Sequence, residues 1–151
     1  MDITLDNVFE TFKRRSYVLV SGTYQLNIFG VRANTPATNK FDDTVGVLYK
    51  DYGDVWNLRL YEATTDPGFY YLDNPANVNG TAILVPGQHV NSHKVGLHKG
   101  QYRALVQNKP LPVWRDRDKD HEYDYDDSTI DTGMFGINIH HAEVHSENVN
   151  N

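Results

Sequence analysis

Cysteine is absent from the 151 residues. That removes disulfides, thiolate metal sites and cysteine nucleophiles from the chemistry available within them. The compartment stays open, because a chain without disulfides suits a reducing environment without requiring one. No apolar run approaches the ~20 residues of a bilayer-spanning helix, so membrane insertion is not expected. The opening Met1-Asp2-Ile3-Thr4-Leu5-Asp6-Asn7 has neither a basic n-region nor an apolar h-region, and no secretory signal peptide is readable. Positive charge is in deficit, with fourteen Lys plus Arg against twenty Asp plus Glu and a net charge of −6. This argues against nucleic acid as a partner, since such binding rests on neutralised phosphates. The local basic group Lys13-Arg14-Arg15 falls where it would cap the C-terminus of a predicted helix.

What is present favours sheet. Ten tyrosines, six phenylalanines and two tryptophans accompany a hydrophobic fraction of 39%. The length suits one domain with a real core, residues 1–151, and is short for two. Leu5, Val8, Phe9 and Phe12 recur at helical spacing and predict a short amphipathic helix entered after Asp2 or Thr4. Strands are expected at 17–20, 24–29, 45–49, 55–61, 69–72, 81–85, 102–107 and 135–141. The clearest hairpin joins Val45–Tyr49 to Val55–Tyr61 across Asp51-Tyr52-Gly53-Asp54. Pro110 and Pro112 point to an edge or crossover before Val113-Trp114. Residues 115–131 read as an acidic, aromatic loop. The fold class is therefore mainly β: a single-domain β-sandwich or partly open β-barrel with a short N-terminal helix.

Candidate ligand-binding groups follow from spacing. Asp116, Asp118 and Asp120 alternate, with Asp127 at the twelfth position, an echo of a calcium loop; His121 stands at the sixth position, where such a loop wants glycine. Calcium is the one cofactor this pattern brings forward, beside the plainer reading of a solvated acidic loop. Seven histidines supply no His-Glu-x-x-His, and His89 and His93 have no standard zinc spacing. Asp131-Thr132-Gly133 matches the aspartic-protease tripeptide but lacks the second carboxylate that chemistry shares, and reads as the lead-in to a strand. In the last segment Phe135, Ile137, Ile139 and His141 alternate with Gly136, Asn138 and His140, so a strand would deliver an imidazole at its end. The plain alternative is a half-buried edge strand running out into a polar tail, with His140, His141 and His145 as structural or surface groups.

Gly133-Met134-Phe135-Gly136-Ile137-Asn138-Ile139-His140 resembles a segment of phage and bacterial peptidoglycan-processing proteins of the L,D-transpeptidase-like kind. Leu84-Val85-Pro86-Gly87-Gln88, Gly96-Leu97-His98-Lys99-Gly100, Tyr102-Arg103-Ala104-Leu105-Val106-Gln107 and Pro112-Val113-Trp114-Arg115-Asp116 extend the likeness, as do Phe41-Asp42-Asp43-Thr44 and Thr64-Thr65-Asp66-Pro67-Gly68. It spans roughly residues 24 to 141. The resemblance implies acyl transfer or amide hydrolysis on the wall peptide, with His140 as base and then acid. An imidazole suits that role because it exchanges its proton near neutral pH. Candidate substrate contacts are Arg103, Asn138 and His98, the last read in a short loop, Gly96-Leu97-His98-Lys99-Gly100, where the plain alternative is a solvent-facing histidine. In the resembled family a Ser-x-Gly-Cys segment follows the Ile-His and supplies the nucleophile. This chain has no such segment, so it either continues beyond Asn151 or is a member without the thiol, and residues 1–151 are expected to be inactive by that route. The resemblance implies a phage-encoded protein, virion-associated or released to the host cell envelope at lysis, with peptidoglycan as partner. The alternative is a non-catalytic phage structural or binding module, of tail, baseplate or capsid, engaging cell wall or neighbouring subunits.

Overall fold

The structure is a computed structural model that describes residues 2–34, 38–142 and 149. It is mainly β, with several antiparallel sheets, a short N-terminal helix and, among the described residues, no closed barrel. Contacts gather into two compact units, the first formed by the residues up to 34 with 42–65, the second by the rest. Among the described residues no helix is long and apolar enough to cross a membrane.

In the first unit, helix α1 (Leu5–Arg14) starts where the spacing predicts. Thr4 and Asn7 exchange side-chain and backbone hydrogen bonds in a capping box, and Lys13 and Arg14 occupy the last turn, where the helix dipole favours cations. Phe9 meets the ring of Trp56 edge-on at 5.3 Å. Strands β1 (Asn27–Val31), β2 (Asp43–Lys50) and β3 (Trp56–Ala63) form an antiparallel sheet in chain order, and the predicted β2–β3 hairpin closes with Lys50 opposite Trp56. Residues 17–20 are not a strand. The buried Asn27 side chain takes both backbone groups of Val20, accepting from its N–H at 2.9 Å and donating to its C=O at 2.8 Å. A side chain thus fills the place of a neighbouring strand. Tyr24 also lies outside the sheet, at φ +53°.

The second unit holds the remaining strands. β4 (Thr81–Leu84), β7 (Leu111–Asp116) and β8 (Asp131–Gly133) form one sheet in the order β4-β7-β8; β5 (His93–His98) and β6 (Tyr102–Gln107) form a hairpin. Ile83, Leu111 and Val113 are buried in the first sheet, and Leu72 in helix α2 (Phe69–Asp73). Three sequence expectations change here. Phe69–Leu72 is helical rather than extended, because the chain enters from Gly68 and closes a turn with the N–H of Leu72 donating to the Gly68 C=O. The stretch around His98 is strand rather than loop. And β7 is central rather than an edge, despite Pro112. In a strand the N–H and C=O of one residue point the same way, and the Pro112 C=O accepts from Val85, just past the last β4 pair. Pro112 therefore lacks a donor only where β4 has ended.

The terminal segment departs furthest from expectation. Only Asp131–Gly133 is regular strand; beyond it the backbone is irregular, with Gly136 at φ +75° and one isolated bridge between Ile139 and Leu105. The reason is Gln107, buried at the end of β6. Its Oε1 accepts from the N–H groups of Phe135 (2.9 Å) and Ile137 (3.1 Å), and its Nε2 donates to the carbonyls of Gly133 (2.7 Å) and Lys109 (2.8 Å). One amide satisfies backbone groups that a strand would otherwise pair. Replacing Gln107 by Leu keeps the volume and removes all four bonds. The expected loss is about 1–3 kcal/mol in urea unfolding, since part-buried donors are stranded; a change below about 0.5 kcal/mol contradicts the role given to Gln107.

Candidate functional site

The β5–β6 hairpin and the segment it holds build the site. Lys99 and Gly100 both take positive φ, and the Gln101 N–H returns to the His98 C=O, which sets His98 opposite Tyr102. Gly96 pairs with Ala104, and a Cβ on Gly96 would come within 2.6 Å of Val106, so the floor between the strands is made of small residues. On the other side of β6, the Leu105–Ile139 bridge carries two hydrogen bonds of 2.8 and 2.9 Å and brings Asn138 and His140 alongside.

His98, Asn138 and His140 come together. The rings of His98 and His140 stack at 4.0 Å with 24° between planes, and Asn138 Nδ2 lies 3.2 Å from His98 Nδ1. Tyr102, which the sequence did not single out, joins them. Its hydroxyl lies 3.1 Å from His140 Nδ1, and its ring lies 5.4 Å from that of His98. The available signal was the hairpin itself, which pairs position 98 with position 102. His141 belongs to the opposite pleat by alternation, yet its ring lies 4.3 Å from that of Tyr102, because alternation ends at the Ile139 bridge. Arg103 is exposed and paired with Leu97, on the face of β6 opposite Tyr102, so it does not line this group.

Burial holds His98 below its ordinary pKa, and repulsion from His140, Lys99 and His141 adds to this. The stacked geometry also speaks against a metal between the rings. Imidazole lone pairs lie in the ring plane, so two stacked rings 24° apart hold them in separate, nearly parallel planes rather than turned towards a point between the rings. Two further histidines hold backbone in place. His93 reaches the Ile137 carbonyl at 2.8 Å and Ser92 Oγ at 2.8 Å, and His89 reaches the Val85 carbonyl at 3.1 Å. His145 lies outside the described residues.

The acidic loop gathers differently from its spacing. Asp116, Asp118 and Asp124 place carboxylate oxygens within 4.8 Å of one another, whereas Asp120 is not in this group and Asp127 accepts from Trp114 Nε1 at 2.9 Å. His121, at the position where a calcium loop wants glycine, takes the left-handed conformation (φ +68°), stacks on Phe69 and sits 2.6 Å from Asp73. Oxygen donors alone would suit a hard cation. Burial pushes the Asp116 carboxyl up; the Asp124 N–H opposes this, and the charges of Asp124, Asp118 and Asp120 reinforce it. Asp131 of the Asp-Thr-Gly tripeptide is an ion-pair partner, accepting from Arg115 Nη2 at 2.8 Å.

No protein-family model, no curated protein and no solved structure matches the chain. Two measurements check the electrostatics. A histidine whose pKa is lowered on folding supports stability above its unfolded value and loses that support as pH falls. Melting temperature should therefore drop more steeply from pH 7 to about pH 5 in the wild type than in His98→Gln; equal slopes contradict the shift. For Asp116 the sign is reversed, because a raised carboxyl costs stability once ionised. Asp124→Asn should raise the melting temperature by about 1–2 °C at neutral pH, a gain that shrinks towards about pH 4.

Proposed function

We propose that this chain is a domain acting on peptidoglycan peptides, an L,D-transpeptidase-like acyl transferase or hydrolase of phage or bacterial type. The observation that carries the reading is the convergence of His98, Asn138 and His140 with Tyr102 on one sheet face. A half-exposed imidazole held by a hydroxyl and a backbone carbonyl is arranged to move a proton. His140 is the general base in this reading and His98 and Asn138 contact the substrate, while Arg103 serves elsewhere on the hairpin or not at all. The nucleophile of such chemistry is a thiol, which residues 1–151 do not contain.

That same lack of cysteine favours a second reading, a non-catalytic module that engages the cell wall or neighbouring phage subunits. One experiment separates the two. The protein purified from its native source is incubated with peptidoglycan, and soluble peptides are followed by mass spectrometry. Release of wall peptides that falls at least ~100-fold in His140→Ala supports the enzyme. Co-sedimentation with intact sacculi and no released peptide supports the binding module; neither binding nor release removes peptidoglycan as the partner.

A further inference from the structure

Hydrogen bonding fixes which nitrogen of each stacked imidazole carries the proton. The backbone N–H of Gln107 can only donate, so the Asn138 atom 2.9 Å from it is the oxygen Oδ1. Asn138 Nδ2 then faces His98 Nδ1 at 3.2 Å; an amide nitrogen only donates, so Nδ1 accepts and neutral His98 carries its proton on Nε2. His140 is set the other way. Its Nδ1 lies 2.9 Å from the carbonyl oxygen of His141, which only accepts. A lone pair on Nδ1 would set two acceptors against each other, whereas a proton there donates to the carbonyl, with the Tyr102 hydroxyl oxygen 3.1 Å away able to share it. The lone pair of His140 is left on Nε2.

We infer that His98 and His140 are held in opposite tautomers, so that the stacked pair offers one Nε2–H donor beside one Nε2 acceptor to an amide or acyl group of a ligand. His98 Nε2–H suits a carbonyl oxygen, and His140 Nε2 suits the proton next to it, on the amide nitrogen or on an attacking group. A neutral donor at a carbonyl is a chemically useful partner, because it stabilises developing negative charge without first having to lose a proton of its own to the neighbouring base. The groups around His98 are His140, Lys99, His141 and Tyr102; the first three oppose a positive charge on it, which keeps the donor neutral. This deepens the wall-peptide reading and rests on it for the choice of ligand, but the tautomers do not. Asn138 orients His98 in addition to its substrate contact, and Gln107 is a positioning residue that acts through Asn138.

The test is long-range proton–nitrogen NMR on the full chain labelled with nitrogen-15 at histidine, recorded at a pH above the histidine transitions. The expected wild-type spectrum shows His98 protonated at Nε2 and His140 protonated at Nδ1. In Asn138→Asp one carboxylate oxygen still accepts from Gln107 and the other accepts from His98, so His98 should switch to Nδ1–H and its titration midpoint should move up, while His140 keeps its Nδ1–H tautomer. Three results would each overturn the inference: the same tautomer on both rings, averaging between tautomers, or an Asn138→Asp variant that is folded by its backbone spectrum yet keeps His98 as Nε2–H. The wild-type spectrum decides even where the variant fails to fold. No substrate is used, so failure here is distinct from failure of the peptidoglycan assay.

Discussion

A single buried primary amide governs how the functional face is assembled. Gln107 ends β6, and its side chain takes the place of a backbone ladder for the segment from Gly133 to Ile137, while its own N–H fixes Asn138. Left without it, the irregular backbone around Gly136 would carry buried N–H and C=O groups with nothing to pair them, a cost that native structures avoid. Because the same residue is in register with His93, whose ring reaches the Ile137 carbonyl, the hairpin and the segment are tied at two points. From there the chain has little freedom before it reaches the Ile139 bridge and His140.

The first unit uses the same device elsewhere. Asn27 stands in for a strand at Val20, and the buried Asp43 carboxylate accepts from the Ala33 and Thr65 N–H groups and the Thr65 hydroxyl. In each case a short polar side chain, buried but fully engaged, finishes a sheet where the strands themselves are too short to do so. Small β-rich chains with many connecting turns depend on this, since their loops expose more backbone than their strands can satisfy. Arg115 performs the same task for the β7 region, donating to the Gly80 carbonyl and to Asp131 while its guanidinium lies over Phe135.

Charge is distributed in a way that separates two regions of the second unit. On the imidazole face burial, with repulsion from His140, Lys99 and His141, disfavours a proton on His98. In the acidic loop burial, reinforced by the neighbouring carboxylates, favours protonation of Asp116 and Asp124. A proton is thus disfavoured on His98 and favoured on Asp116 and Asp124. Chemistry that moves a proton is better served by the first region, where His98 offers a donor and His140 an acceptor.

The amino-acid sequence by itself determined the elements whose signals are local. Helical spacing and Thr4 set α1, the turn residues Asp51 to Asp54 set the β2–β3 hairpin, and alternation set β6 and the side on which Asn138 and His140 would lie. The absence of cysteine bounded the chemistry by composition alone. Where side chains from distant positions replace backbone partners, local pattern pointed to the wrong element. Residues 17–20 read as a short apolar strand and 135–141 alternate like one, but they are held by Asn27 and Gln107, and nothing within either stretch records that. The placing of Arg103 on the opposite face, of Asp124 in the acid cluster instead of Asp120, and of Tyr102 against His140 likewise belonged to the tertiary structure. Hydrogen bonds between positions tens of residues apart obey geometry in space, which periodicity along the chain does not encode.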